Sequence, residues 1–245
     1  DAFALDNSYT VLSDKPGKDA QESLGASARF DWAFADEMAF TSITSLASSE
    51  MTFSFDADWG NADSWAPFVY DFMSFTERGR DTISQEFRFG NEQWMFGAYA
   101  STLKEGIQAV NLGDYFDPFF NFGDSLDDRF ESNYEATNLA VFGQVNFELG
   151  AATELSTGLR LERRSTDYDD SVGIVAGPSE TMWGGEISLS HEVANEMRVY
   201  VNISKGYKAG GFNLGPTPPG KEEFDGEKMY TFETGIKGAV LNGRL

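Results

Sequence analysis

The feature that most narrows what this chain can fold into is a rhythm. Stretches of alternating apolar and polar residues are joined by connections that are by turns very short and very long. Short ones fall near Phe34–Glu37, Gly90–Glu92, Gly150–Ala152, Ala194–Glu196 and Leu241–Gly243. Between them lie polar, aromatic segments at 56–79, 104–135, 165–180 and 206–227. Loops longer than about 12–15 residues are uncommon in compact soluble domains. Short turns at one end and long loops at the other are the habit of transmembrane barrels.

The stretches between these connections repeat with period two, as strands do. Met197, Val199, Val201 and Ile203 alternate with Arg198, Tyr200, Asn202 and Ser204. Leu139, Val141, Gly143, Val145 and Phe147 oppose Asn138, Gln144, Asn146 and Glu148. Leu155, Leu159 and Leu161 oppose Glu154, Arg160, Glu162 and Arg164, and Trp183, Ile187 and Leu189 oppose Glu186, Ser188 and Ser190. Tyr230, Phe232 and Ile236 oppose Glu233 and Lys237; Leu24, Ala26, Ala28, Phe30 and Trp32 oppose Arg29 and Asp31. Segments 38–56 and 92–104 alternate poorly and no face is assigned to them. Residues 1–20 read as either strand or loop.

A soluble antiparallel sandwich also alternates. Two details favour a barrel. The strands run about 11–13 residues where 5–6 is usual, and charges of both signs sit at strand centres, as a wet bore tolerates. The expected fold is all-β, an antiparallel transmembrane β-barrel, with residues 1–245 as one barrel domain. Aromatic residues near the strand ends (Trp32, Phe34, Trp94, Tyr200, Tyr207, Phe212, Tyr230 and Phe232) fit rings held at lipid headgroup level.

Composition excludes several function classes. Aromatics reach 15% and there are 22 Phe, yet hydrophobic residues are only 41%. No stretch approaches the roughly 18 apolar residues of a membrane helix. There are no cysteines, so thiolate metal sites and thiol chemistry are excluded. The net charge of −22 argues against nucleic acid as a partner, because phosphate binding draws on Lys and Arg. Asp1 opens the chain with no signal-peptide pattern.

The run Gly206-Tyr207-Lys208-Ala209-Gly210-Gly211-Phe212-Asn213, followed by Pro216, Pro218, Pro219 and Gly220, resembles a motif of TonB-dependent outer-membrane receptors. Further elements occur in the same family's order. Ser84–Phe89 with Trp94–Tyr99 is similar to one hairpin, and Ala140–Val145 with Gly158–Glu162 to a second. Tyr230–Lys237 looks like the later strand, with Asn242–Leu245 opening another turn. The resemblance runs from about residue 80 to the end.

It implies about ten strands of a 22-stranded barrel, a middle-to-late fragment lacking the family's plug and terminal strands. It implies an outer-membrane receptor of a Gram-negative bacterium that imports an iron complex, siderophore-like, or a similar nutrient. TonB would act through the absent plug segment, and lipid and lipopolysaccharide would surround the wall. The charges Arg88, Arg160, Glu162, Glu233 and Lys237, with Arg29, Asp31, Glu86 and Arg198, would then face the plug. The glycines at 206–211 would permit bulges where a strand leaves the membrane.

No catalytic constellation is present, and neither cofactor nor metal is expected. His191 is the only histidine. The pairs Asp127-Asp128, Asp169-Asp170 and Glu222-Glu223 fall in segments read as loops, without the facing geometry glycoside chemistry needs. The aromatic loops carry most of the functional signal. Trp59, Trp65, Tyr115, Phe116, Phe119 and Phe120 are the expected ligand contacts, since exposed aromatics mark contact surfaces. The alternatives to an energised importer are a passive porin and a soluble β-sandwich binding module.

Overall fold

A residue whose neighbours alternate in polarity can satisfy both only on a pleated strand with two unlike faces. The chain meets that demand with a single large antiparallel sheet, seen in a computed structural model that describes residues 12–35, 37–194 and 197–238. The long strands are β1 (Lys18–Ala35), β2 (Met38–Asp56), β3 (Val69–Gly90), β4 (Trp94–Asp117), β5 (Phe122–Glu148), β6 (Thr153–Asp170), β8 (Ser179–Ala194), β9 (Met197–Lys208) and β12 (Glu227–Gly238). Three two-residue strands complete the set: β7 (Val175–Ala176), β10 (Gly211–Phe212) and β11 (Glu223–Phe224). Each long strand pairs with the next in a simple meander, β1-β2-β3-β4-β5-β6-β8-β9-β12.

The strands are longer than the sequence pattern suggests. Segment 104–135, read as a loop, is the tip of a hairpin. β4 and β5 stay paired from Trp94↔Val145 out to Asp117↔Phe122. Its acidic and aromatic residues resemble loop composition, yet cross-strand hydrogen bonds hold it regular. The connection shrinks to four residues, with Asn121 in the left-handed region (φ 49°). The long connection at 57–68 holds one short helix, α1 (Ala62–Trp65), capped by Asn61, whose side chain accepts from the Ser64 amide at 2.8 Å. Residues 1–11, Asn195, Glu196 and the last turn at 241–243 lie outside the described residues.

Register assigns every face, including those the sequence leaves open. The apolar face runs Phe30, Ser42, Phe87, Ala98, Val141, Leu161, Trp183 across the sheet. It continues Ile187, Ile203, Phe232. β2 is hard to read because Ser42 and Thr44 lie on this apolar face while Ile43 lies on the other. Both are satisfied within the face: Gln85 donates to Ser42 at 3.0 Å, and Thr44 donates to Gln85 at 2.6 Å.

No second layer covers this face among the described residues. Leu159 is 60% exposed and Phe232 69%. A compact protein of 27.1 kDa exposes about 10,800 Å² by the surface-to-mass scaling. This chain exposes 16,790 Å². The excess is what a single sheet without a covering layer leaves open, so the soluble-sandwich alternative is set aside.

On β1 the apolar face extends from Leu24 to Phe34. At about 3.3 Å per residue and a tilt near 40°, that is a band roughly 25 Å tall. At the end with the short connections, rings touch one another along its border. Trp32 and Phe34 have centroids 5.1 Å apart, Phe34 and Phe89 5.8 Å, Phe89 and Trp94 5.6 Å, and Trp94 and Phe96 5.4 Å. At the opposite border the residues pointing to the same side become charged: Asp81, Lys104, Glu135 and Asp167 occupy successive strands.

Candidate functional site

The other face carries the polar and charged partners of the alternation. All the charges expected on one wall are there. Arg29 donates to Asp31 at 2.7 and 2.9 Å, and Asp31 also accepts from Thr41. Arg88 pairs with Glu86. Arg160 donates to Glu162 at 2.7 Å and lies 5.2 Å from the Tyr99 ring centroid and 5.7 Å from that of Phe142. Tyr200 donates to Glu233 at 2.5 Å, while the Lys237 ammonium sits 4.9 Å from the Tyr200 ring centroid. Arg198 reaches Glu154 at 3.5 Å.

Two glycines make room for these rings. A Cβ at Gly97 would lie 2.3 Å from the Phe142 ring, directly across the ladder. One at Gly184 would lie 3.0 Å from the ring of Tyr207. The β8–β9 ladder ends at Gly185↔Lys205. Beyond it Tyr207 crosses Gly184, donates to Glu162 at 2.8 Å and accepts from Arg160 at 3.1 Å. The tyrosine of the glycine-rich motif is thereby tied to the polar wall.

The rest of that motif does not simply leave the rim. The segment 209–226 forms a strap, stitched by the β10–β11 pair, that folds back onto the polar face. Phe212 stacks on Tyr168 (4.6 Å, 4°) and touches Tyr134 (6.0 Å). With Ala136 they form a buried cluster, and Leu103, Ile174, Ala176 and Leu214 pack against it. Ser132 donates to the Leu214 carbonyl at 2.5 Å. Gly210 donates to Glu180 at 2.9 Å, and Asn213 donates to the Lys221 carbonyl at 2.7 Å. Gly210 and Gly211 pack closely here: a Cβ on Gly210 would lie 2.7 Å from the Phe224 carbonyl, and one on Gly211 3.0 Å from its ring. Gly206 and Lys208 pair with Met229 and Glu227. Burial pushes the Tyr168 phenol above the ordinary tyrosine range, and Asp170, which accepts its proton at 2.9 Å, pushes the same way.

The six aromatic residues expected as ligand contacts separate into two kinds. Trp65 is built into its loop. Its indole donates to Asp58 at 3.1 Å, and the same carboxylate accepts from the Gly60 amide at 2.9 Å and the Phe72 amide at 2.7 Å. Trp65 packs on Tyr70 (4.9 Å), which meets Phe72 (4.7 Å) and Tyr115 (6.3 Å). Burial, with Asp117 next, raises the Tyr115 phenol above its ordinary range. Phe116 lies opposite Gly123 across the ladder. Trp59 (79% exposed) and Phe120 (83%) project at the tips, and Phe119 (74%) is exposed there with its ring centroid 5.8 Å from that of Phe68. Sequence reading missed Asp58 and Tyr168, whose roles depend on partners up to dozens of residues away.

His191 sits beside the β8–β9 connection with its Nδ1 2.8 Å from the Thr153 hydroxyl. Among the described residues no group of three or more His, Asp or Glu is placed to hold a metal ion.

The family model described as TonB dependent receptor-like, beta-barrel, matches residues 2–245. The pesticin receptor of Yersinia enterocolitica is 26% identical over 110 residues, which is 42% of this chain and 16% of that protein. Among solved structures, the ferric yersiniabactin uptake receptor FyuA from Yersinia pestis superposes with a TM-score of 0.63 at 18% identity, covering 90% of this chain and 33% of that one. The siderophore receptor PiuA from Acinetobacter baumannii superposes with a TM-score of 0.60 at 13% identity, covering 91% and 38%. The chain thus spans about a sixth of the curated relative and about a third of the solved receptors.

Proposed function

The chain belongs to the TonB-dependent receptor-like β-barrel family, and from that premise we propose that it forms a sector of the wall of an outer-membrane importer. In this reading the whole receptor binds an iron complex, siderophore-like, or a similar nutrient, and moves it inward with energy delivered through TonB. The observation that carries the reading is the division of one sheet into two unlike faces. One is a continuous apolar band bordered by rings; the other is a ladder of ion pairs and hydrogen bonds.

Each face has a physical role in that setting. The apolar band lies in hydrocarbon, where every backbone polar group must be satisfied by the ladder itself. The short-connection border, with Trp32, Phe34, Phe89, Trp94 and Phe96, lies at the periplasmic headgroups. The polar face lines the bore. Arg88, Arg160, Glu162, Glu233 and Lys237 hold the plug through contacts that break without exposing apolar surface. At the mouth, Trp59, Phe119 and Phe120 are free to meet a ligand, whereas Trp65 and Tyr115 shape the loops that present them. Lipid and lipopolysaccharide are the surrounding partners, and nothing in this reading calls for covalent chemistry.

Uptake of radiolabelled ferric siderophores by cells carrying the full-length receptor tests the proposal. Uptake that saturates and stops when TonB is deleted supports it. Uptake that continues without TonB makes the protein a passive pore and overturns it. The plug contacts are tested separately, by hydrogen exchange in the full-length Arg160→Gln, Glu233→Gln receptor. Faster exchange in the plug is expected; unchanged exchange removes these residues from that role.

A further inference from the structure

Arg163 is the one arginine of β6 that points to the apolar side. Along that strand Leu159 and Leu161 share its face, while Arg160, Glu162 and Arg164 share the other. The chain holds 40 carboxylates and 18 cationic side chains. In such an excess of acid an arginine normally acquires a carboxylate, as Arg29, Arg88, Arg129 and Arg160 do. Among the described residues Arg163 has none within ion-pairing distance, and it is exposed.

Below Arg163 the apolar face is not flat. A furrow of about 510 Å³ runs down from it. Its floor is made by the small residues Ala98 and Ala100, and its sides include Phe87, Val141 and Leu161. Arg163 and Thr181, cross-strand neighbours, stand at the upper rim. Just above them Ser165 and Ser179 add two more hydroxyls on the same side. An apolar trough ending in an unpaired guanidinium among hydroxyls matches an amphiphile with a hydrocarbon chain and an anionic head. Arginine's planar fork suits phosphate in particular.

We infer that this furrow is a specific lipid site: it takes an acyl chain of an outer-leaflet glycolipid and holds that lipid's phosphate on Arg163. The site rests on the reading that the apolar face meets the membrane, with the long connections outside. Its occupant follows from charge complementarity at the rim. Asp167 and Glu135 repel an anion along that border. Lys104 is paired with Glu135 at 3.3 Å, and Lys205 donates to the Trp183 carbonyl, which leaves Arg163 as the cation of the furrow without a partner among the described residues.

The test uses the full-length receptor, purified in mild detergent and titrated with lipid A while native mass spectrometry reads the retained lipid. The same lipid with its phosphates removed, and phosphatidylethanolamine, serve as controls. Arg163→Gln is expected to weaken lipid A retention about tenfold, the worth of a charge-assisted contact. Arg163→Lys is expected to keep most of it. Ala98→Trp, which fills the furrow and leaves the charge, is expected to weaken retention as well. Unchanged retention in both Arg163→Gln and Ala98→Trp overturns the site, as does equal retention of the dephosphorylated lipid. Heat-modifiable gel mobility and co-sedimentation with outer membranes are measured on every variant. If the unmutated receptor lacks them, the membrane reading itself has failed; if it has them and retention is unaltered, only the lipid site falls.

Discussion

Placing one arginine at successive depths on a single face of β8 turns the assignment of faces into a measurable profile. Ile187 lies in the middle of the apolar band, between Thr157 on β6 and Ile203 on β9, and is 58% exposed. His191, four positions on and on the same face, adjoins the short connection. Ser188 is next in sequence and points to the polar side. If the apolar face is in hydrocarbon, Ile187→Arg costs about 2–4 kcal/mol and His191→Arg about 0–1 kcal/mol, the depth dependence known for barrel walls. Ser188→Arg, in a wet bore, costs little. The mid-band penalty corresponds to a shift of roughly 30- to 900-fold in the folding equilibrium. The assay is reversible urea unfolding of the full-length receptor in lipid vesicles, followed by tryptophan fluorescence. Equal costs at 187 and 188, or a cost at 191 matching that at 187, would refute the reasoning. A protein layer over the face would not produce a gradient with membrane depth.

Two further outcomes follow from close packing. Gly97→Ala is expected to destabilise by about 1–3 kcal/mol through its clash with Phe142, while Gly79→Ala, with open space around its Cβ, is expected to be nearly silent; the same urea titration compares them. Phe212→Ala is expected to uncover Tyr168 and bring its phenol back toward the ordinary tyrosine range. The sign is fixed by the raised folded value. The strap's stability from this group is full below the ordinary tyrosine pKa and is lost as pH rises through the folded one. A difference titration at the phenolate absorbance, using Tyr168→Phe to isolate the signal, reads the shift. An unmoved titration would mean that Phe212 does not shield the ring.

Some of this was legible in the sequence and some was not, for physical reasons. Val199, Val201 and Ile203 declare their face because each neighbour is polar. β2 does not, because Ser, Thr and Ala suit either side, and only its pairing with β1 and β3 orients it. The hairpin tip at 104–135 has loop-like composition, yet the exact opposition of residues such as Ile107 and Ser132 makes it strand. The charged wall was readable as a set, since Arg160 and Glu162 are two apart and must point together. The strap was not: Phe212 meets Tyr168 across 44 positions, and no local pattern encodes that meeting. Trp65 likewise looked like a free ring until Asp58 was found holding its indole.

Arg29 with Asp31, Glu86 with Arg88, and Arg160 with Glu162 each set a cation and an anion two positions apart on one strand. These six charges on the polar face bring their own counterions. In the proposed bore, whatever lies against them can withdraw without stranding any of the six.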